Sequence, residues 1–187
     1  MQTTFHGLTF VSEPGRVFSP RTTTEGLVDA ALERLDDRPA RVADVGTGAG
    51  VLAITLALRA PLIEVWASDT CAKALRVAST NAERLGAQIH LVHGDLLEGL
   101  PHDLDLIVAN LPYLAPGTPG YDEEPPAAVF STGDGLDHYR RLLTAAGDHL
   151  VPGGGVILQF EGEVLEAERS ELSWLLRRLE WRVARAA

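Results

Sequence analysis

The 187-residue chain has one cysteine, Cys71, so no internal disulfide can staple it. The fold must be held by its core, and this cysteine usage suits a reducing compartment. Aromatic residues make up only 6%, and the three tryptophans, Trp66, Trp174 and Trp181, read as core or interface residues rather than a base-stacking platform. Long apolar runs are missing too: none reaches the ~20 residues that a membrane-spanning helix needs. The opening MQTTFHGLTFVSEPGR has neither a basic leader nor an apolar segment behind it. No secretory signal is evident, and the expectation is a cytoplasmic protein with no membrane attachment. Basic residues are few: 16 Lys and Arg stand against 26 Asp and Glu, a formal net charge of −10. A field of that sign opposes broad binding to phosphate backbones, so nucleic acid is a disfavoured partner. A small basic patch, such as RRLEWRVAR (177–185), remains compatible with it.

What is present is ordinary globular material, 45% hydrophobic and 22% charged. That is enough for one sizeable core, and the length suits one domain. Residues 1–187 read as a single domain, with 1–38 as an N-terminal cover segment and 39–187 as the core. Along that core, short apolar runs alternate with amphipathic stretches. Strands are predicted over 40–46, 63–69, 89–95, 104–110 and 156–161. Helices are predicted over 50–60, 71–86, 135–150 and 163–180, with a last strand over 181–185. Pro152 and glycines 153–155 read as a turn. Alternation of this kind predicts an α/β fold with a mostly parallel sheet and helices on both faces, and ligands in such sheets sit beyond the carboxyl ends of the strands.

The informative residues fall at those ends. DVGTGAG (44–50) follows the first strand and opens the first helix. Gly46, Gly48 and Gly50 allow a sharp turn and a close approach to a ligand. The spacing is G-x-G-x-G, with Val51 where a dinucleotide loop wants its third glycine, which disfavours NAD. Asp69 ends the second strand, where a carboxylate can accept two hydrogen bonds from a ribose diol. Asp95 ends the third and could accept from an exocyclic adenine amine. Singly, each acid could equally be a helix cap or turn residue; in succession they point to a ligand with a ribose and a base. No Gly-Lys-Ser/Thr run is present, so a P-loop nucleotide is disfavoured. His90 and His93 are an odd distance apart on a strand and face opposite ways, and no metal site is expected.

The fourth strand runs into IVANLPYLAP (107–116). A turn accounts for Asn110 and Pro112 but less easily for Tyr113. The loop beyond it, LAPGTPGYDEEPP (114–126), is long and rich in proline and glycine, as loops beside a site often are. Its acids favour a protein or small-molecule substrate over nucleic acid.

Taken together, DVGTGAG, Asp69, Asp95 and NLPY resemble the Rossmann-like, class I S-adenosylmethionine-dependent methyltransferases. More closely the chain resembles the HemK-type family, which methylates the side-chain amide of a glutamine in peptide release factors. VFSPRTTTEGLVDAAL (17–32), EEPPAAVFSTGDGLDHYRRLL (123–143) and VPGGGVILQFEG (151–162) are similar to that family's further segments. The family reads Asn-Pro-Pro-Tyr where this chain has Leu111. Asn-Leu-Pro-Tyr is also the form used by ribosomal-RNA adenine dimethyltransferases. The family's bacterial members carry a helical domain before the catalytic one, and its short relatives pair with a zinc-binding activator subunit. Its last two strands form an antiparallel pair, of which one candidate is visible here.

The resemblance implies S-adenosylmethionine as cofactor. Asp44, Gly46, Thr47, Gly48 and Gly50 would form the floor, Asp69 would hold the ribose, and Asp95 and Leu96 would flank the adenine, with Asn110 beside them. It implies further that the Asn110 side-chain oxygen and the Leu111 carbonyl accept the two hydrogens of a planar NH2 group. Pro112 would keep Leu111 extended, and Tyr113 would stack on the group. The implied partner is a release-factor-like protein, with an activator subunit beside it. Read from the residues, the acceptor stays open between a protein glutamine, adenine N6 in RNA or DNA, a small amine or amide, and a chain that only binds cofactor for a partner.

Overall fold

The computed structural model describes residues 1–13, 24–116, 118–120 and 124–186. Residues 17–23 of the first family-like segment, and 117 and 121–123 of the long loop, lie outside the described residues.

The core is a six-stranded sheet of β3 (Ala40–Val45), β4 (Ile63–Asp69), β5 (His90–His93), β6 (Leu104–Ala109), β7 (Leu150–Phe160) and β8 (Glu163–Glu168), in the order β5-β4-β3-β6-β7-β8. All neighbours are parallel except the last pair, which is antiparallel. Sequence order reverses between β3 and β6, the place where a doubly wound sheet opens a crevice. Val45 pairs with Ala109, so the glycine turn and the Asn110 turn leave the sheet side by side.

The helices α1 (Glu25–Leu35), α2 (Val51–Arg59), α3 (Ala72–Leu85), α5 (Asp137–His149) and α6 (Leu172–Ala186) cover both faces, with a short α4 (Pro126–Val129) near the crevice. The two faces follow from period-two alternation. Val42, Leu106, Val108 and Ile157 join α1, α2 and α3 in one apolar layer. Ala43, Val45, Ile107, Ala109, Val156 and Leu158 join α5 and α6 in the other. The expected α/β, Rossmann-like architecture is thus borne out. Among the described residues no helix is long and apolar enough to cross a membrane.

Three expectations fail at the C-terminal end. Residues 163–180 are not one helix: they form β8, then a 3-10 turn (Arg169–Glu171), then the start of α6. Residues 181–185 continue α6 instead of forming a strand. Glu161 (φ 50°) and Gly162 (φ 81°) reverse the chain in a two-residue hairpin, and only Leu165 and Ala167 of β8 are buried. Leu, Glu and Ala favour helix, but a two-residue turn with positive φ and an alternating apolar pair override that weak preference. Pro152–Gly155 likewise lies inside β7, where the register against β6 shifts between Leu104 and Leu106. A side chain at Gly155 would meet the Ala167 carbonyl at 2.8 Å, so β8 can approach only a bare backbone.

An N-terminal hairpin, β1 (Gln2–Phe5) and β2 (Leu8–Val11), turns through His6 and Gly7, both at positive φ. Its buried Phe5 and Phe10 meet edge to face at 6.2 Å. One fully buried side chain fastens it. Asn81 of α3 accepts from the Val11 N–H (2.7 Å) and donates to the carbonyls of Val11 (3.0 Å) and Ala49 (3.0 Å). An apolar side chain there would strand those backbone groups without water. Asn81→Leu is expected to lower unfolding free energy by about 3 kcal/mol in urea titration. A loss under about 0.5 kcal/mol, the usual size for a surface change, would show the bonds to be dispensable.

Candidate functional site

Where the sheet order reverses, the carboxyl ends of the strands enclose a cavity of about 250 Å³. The glycine turn forms its floor. Gly46, Gly48 and Gly50 all have positive φ, and the N–H groups of Gly46 and Thr47 both point at the Ser68 carbonyl at 2.9 Å. Gly46, Thr47 and Gly48 line the cavity. Gly50 does not: it starts α2, and a Cβ there would lie 3.0 Å from the Ala78 Cβ of α3. Its bareness serves helix packing, the task a dinucleotide loop gives its third glycine.

Asp44 also lies outside the cavity wall. It is completely buried beneath the turn, where its Oδ2 accepts from the Thr47 hydroxyl (2.6 Å) and the Ala53 N–H (3.1 Å). Its Oδ1 has no partner among the described residues. Burial pushes its carboxyl up to about 6, against the lowering effect of those two donors.

Asp69 lines the cavity with both oxygens already steadied by backbone. The Gly48 N–H donates to one at 2.9 Å and the Cys71 N–H to the other at 2.7 Å. Each oxygen keeps a lone pair for a further donor. Asp95 lies at the rim, tied to Arg141 of α5 by an ion pair. Leu96, at φ 53°, accepts from the Ser68 hydroxyl through its carbonyl.

Asn110, Leu111, Pro112 and Tyr113 stand together on the opposite wall. The Asn110 Nδ2 donates to the Thr24 hydroxyl oxygen (3.1 Å). The Leu111 side chain packs over the glycine turn, where a Cβ on Gly46 would come within 3.0 Å of it. The Tyr113 ring lies 5.1 Å from that of Phe160 at 48°.

Four residues that sequence reading missed complete the wall or its support. Thr24, Gln159 and His138 line the cavity. Tyr139, fully buried, brings its hydroxyl to the carbonyls of Leu111 (3.0 Å) and Gln159 (2.6 Å), and burial raises its phenol well above the ordinary range. Nothing in the local pattern around Tyr139 separates it from an ordinary helix residue facing the core. Thr24 could have been weighed, since it lies in a segment already quoted for its likeness to a family motif.

Asp44 also sets a pH dependence. Its folded value lies above the ordinary carboxylate range, so between about pH 4 and pH 6 the folded state holds a proton that the unfolded chain has lost. Stability from this group is present at low pH and is lost as pH rises through about 6, by about 3 kcal/mol in all. An asparagine keeps one acceptor for Thr47 and Ala53 but cannot ionise. The stability difference between wild type and Asp44→Asn, followed by urea unfolding from pH 4 to 7, should shift against the wild type by most of that amount, about 2.5 kcal/mol. A pH-independent difference would refute the assignment.

Residues 7–121 match the methyltransferase small domain family. The chain is 41% identical over 164 residues to a release factor glutamine methyltransferase of Bordetella pertussis, and 44% identical over 149 residues to one of Xylella fastidiosa. These matches take in 83% and 75% of this chain but 61% and 54% of the relatives, so the chain spans little more than half their length. Among solved structures, ribosomal protein L11 methylase from Lactobacillus delbrueckii subsp. bulgaricus matches with TM-score 0.54 at 28% identity, over 74% of this chain and 60% of that one.

Proposed function

The chain belongs to the methyltransferase small domain family, and on that premise we propose that it uses S-adenosylmethionine to methylate the side-chain amide nitrogen of a glutamine in a protein of the release-factor class. The observation that carries this reading is the pairing of the two cavity walls. A bare-backbone turn and the fixed Asp69 face a strand end that offers an amide, a carbonyl and an aromatic ring.

The residues present suit the cofactor. At Gly46 a side chain would press on Leu111, so the turn offers peptide groups and no Cβ to the cavity. Gly46, Thr47 and Gly48 would take the methionine part, Asp69 the ribose, and Asp95 with Leu96 the adenine. Bound S-adenosylmethionine supplies a methyl group activated by a positive sulfonium.

The protein's own task is to make a poor nucleophile point the right way. An amide nitrogen delocalises its lone pair into the carbonyl and must pyramidalise to attack. The Asn110 Oδ1 and the Leu111 carbonyl are the two acceptors that would hold its N–H bonds for that shape. The Tyr139 hydroxyl, whose single proton is shared with the nearer Gln159 carbonyl, also reaches the Leu111 carbonyl from within the core and helps to restrain it although the residue is leucine and not proline. A carbonyl has a second lone pair for the substrate. Tyr113 would cover the planar group. Positioning of this kind can supply several kcal/mol, up to ~7–11, with no general base.

The test incubates the purified protein with methyl-labelled S-adenosylmethionine and a release factor, or an extract from cells lacking the gene. Label should appear in protein, be lost to protease, and map to a glutamine. Label lost to nuclease instead would replace this reading with adenine methylation, and label passing a small-molecule filter would replace it with a metabolite acceptor. Asn110→Ala is expected to cut transfer by ~10²–10³-fold, the usual size for losing one preorganised polar contact to the reacting group, while cofactor affinity stays within about threefold. Equal losses of both would move Asn110 from the chemistry to cofactor binding.

A further inference from the structure

Resting on that reading, we propose that Thr24 is a positioning residue that anchors the Asn110 amide where it faces the acceptor nitrogen. An asparagine side chain has two ends of nearly equal shape and opposite polarity. An incoming NH2 group needs an oxygen; the same side chain turned over would present a second NH2 and repel it. The amide therefore has to be anchored in place.

Thr24 is placed to do this. It directly precedes α1 with helical backbone angles (φ −77°, ψ −19°), not the extended ones from which a threonine oxygen caps a first turn. Here no such bond is made. The Thr24 Oγ1 accepts from the Asn110 Nδ2 at 3.1 Å, across 86 residues of sequence. Both residues line the cavity, and Thr24 is only 4% exposed, so water has little access to replace the bond. A hydroxyl can serve either end of an amide; in the arrangement seen, Nδ2 is engaged and Oδ1 is left to accept. The Thr24 segment thus acts on the reaction through Asn110, without touching the reacting atoms.

The test uses Thr24→Val, which keeps the shape and removes the oxygen, and Thr24→Ser, which restores the oxygen. Thr24→Ala replaces the valine variant should that one not fold, as judged by circular dichroism and urea unfolding. The first readout needs no activity: hydrogen exchange of the Asn110 side-chain NH2, identified in NMR spectra by its loss in Asn110→Ala. It should be slow in wild type and Thr24→Ser, and at least tenfold faster in Thr24→Val. The second is kinetic. In Thr24→Val, kcat should fall ~10–100-fold, the range expected for a misaligned contact, with KM and cofactor affinity near wild type, and Thr24→Ser should recover most of it. Unchanged exchange, unchanged kcat, or a parallel loss of cofactor affinity would each overturn the proposal. If the wild type labels something other than a glutamine but Thr24→Val still lowers kcat and speeds exchange, the acceptor assignment fails and the role of Thr24 stands.

Discussion

The site hangs on a carboxylate that lies outside the cavity wall. Asp44 sits at the end of the central strand, sealed from water, and holds both the Thr47 hydroxyl and the first turn of α2. Those two bonds set where the glycine turn lies relative to the helix that follows it. The turn in turn meets the Ser68 carbonyl through two N–H groups and Asp69 through a third. The ends of β3 and β4 are therefore one hydrogen-bonded unit. Burying a charge-bearing group is costly, and the raised Asp44 value reflects that cost. A group retained at such cost under a turn is better explained by the geometry it enforces than by stability.

The opposite wall is built on the same principle, with helix residues in the supporting role. Tyr139 of α5 reaches the end of β6 and the end of β7 through one hydroxyl, and Thr24, just before α1, reaches the Asn110 turn. The groups that would meet a substrate are carried on turns, and the groups that fix them are carried on helices. That arrangement is what a reaction dependent on orientation needs: adaptable turns, with little freedom left in the atoms that matter.

Much of this was legible in the sequence. The parallel strands were readable because each is a short apolar run ending in a glycine, an acid or an amide; Ile63–Asp69 matches its prediction to the residue. The cavity walls were readable because DVGTGAG, Asp69 and NLPY are sequence-local motifs. β8 was not readable, because helix-favouring residues fill it and its identity depends on the Glu161–Gly162 turn and on β7 lying beside it. The N-terminal hairpin was missed at His6–Gly7, a less familiar pair than Asn-Gly for the same turn. Gly50 and Asp44 were assigned to the ligand because their motif is contiguous, whereas the fold turns one toward α3 and the other beneath the floor. Thr24 and Tyr139 act through partners 86 and 28 residues away, a relation that no local pattern carries.

Asn81 ties the first eleven residues to the cavity end of the sheet more directly than their position in the chain suggests. Its one amide nitrogen serves both the carbonyl of Val11, at the end of the hairpin, and that of Ala49, inside the glycine turn. Fraying of the hairpin would release one of these contacts and leave the amide free to rotate away from the other. Local unfolding at the N-terminus is then coupled to slackness in the floor of the cavity. Anything that orders the glycine turn should, by the same linkage, lower the open population of a hairpin that never reaches the cavity.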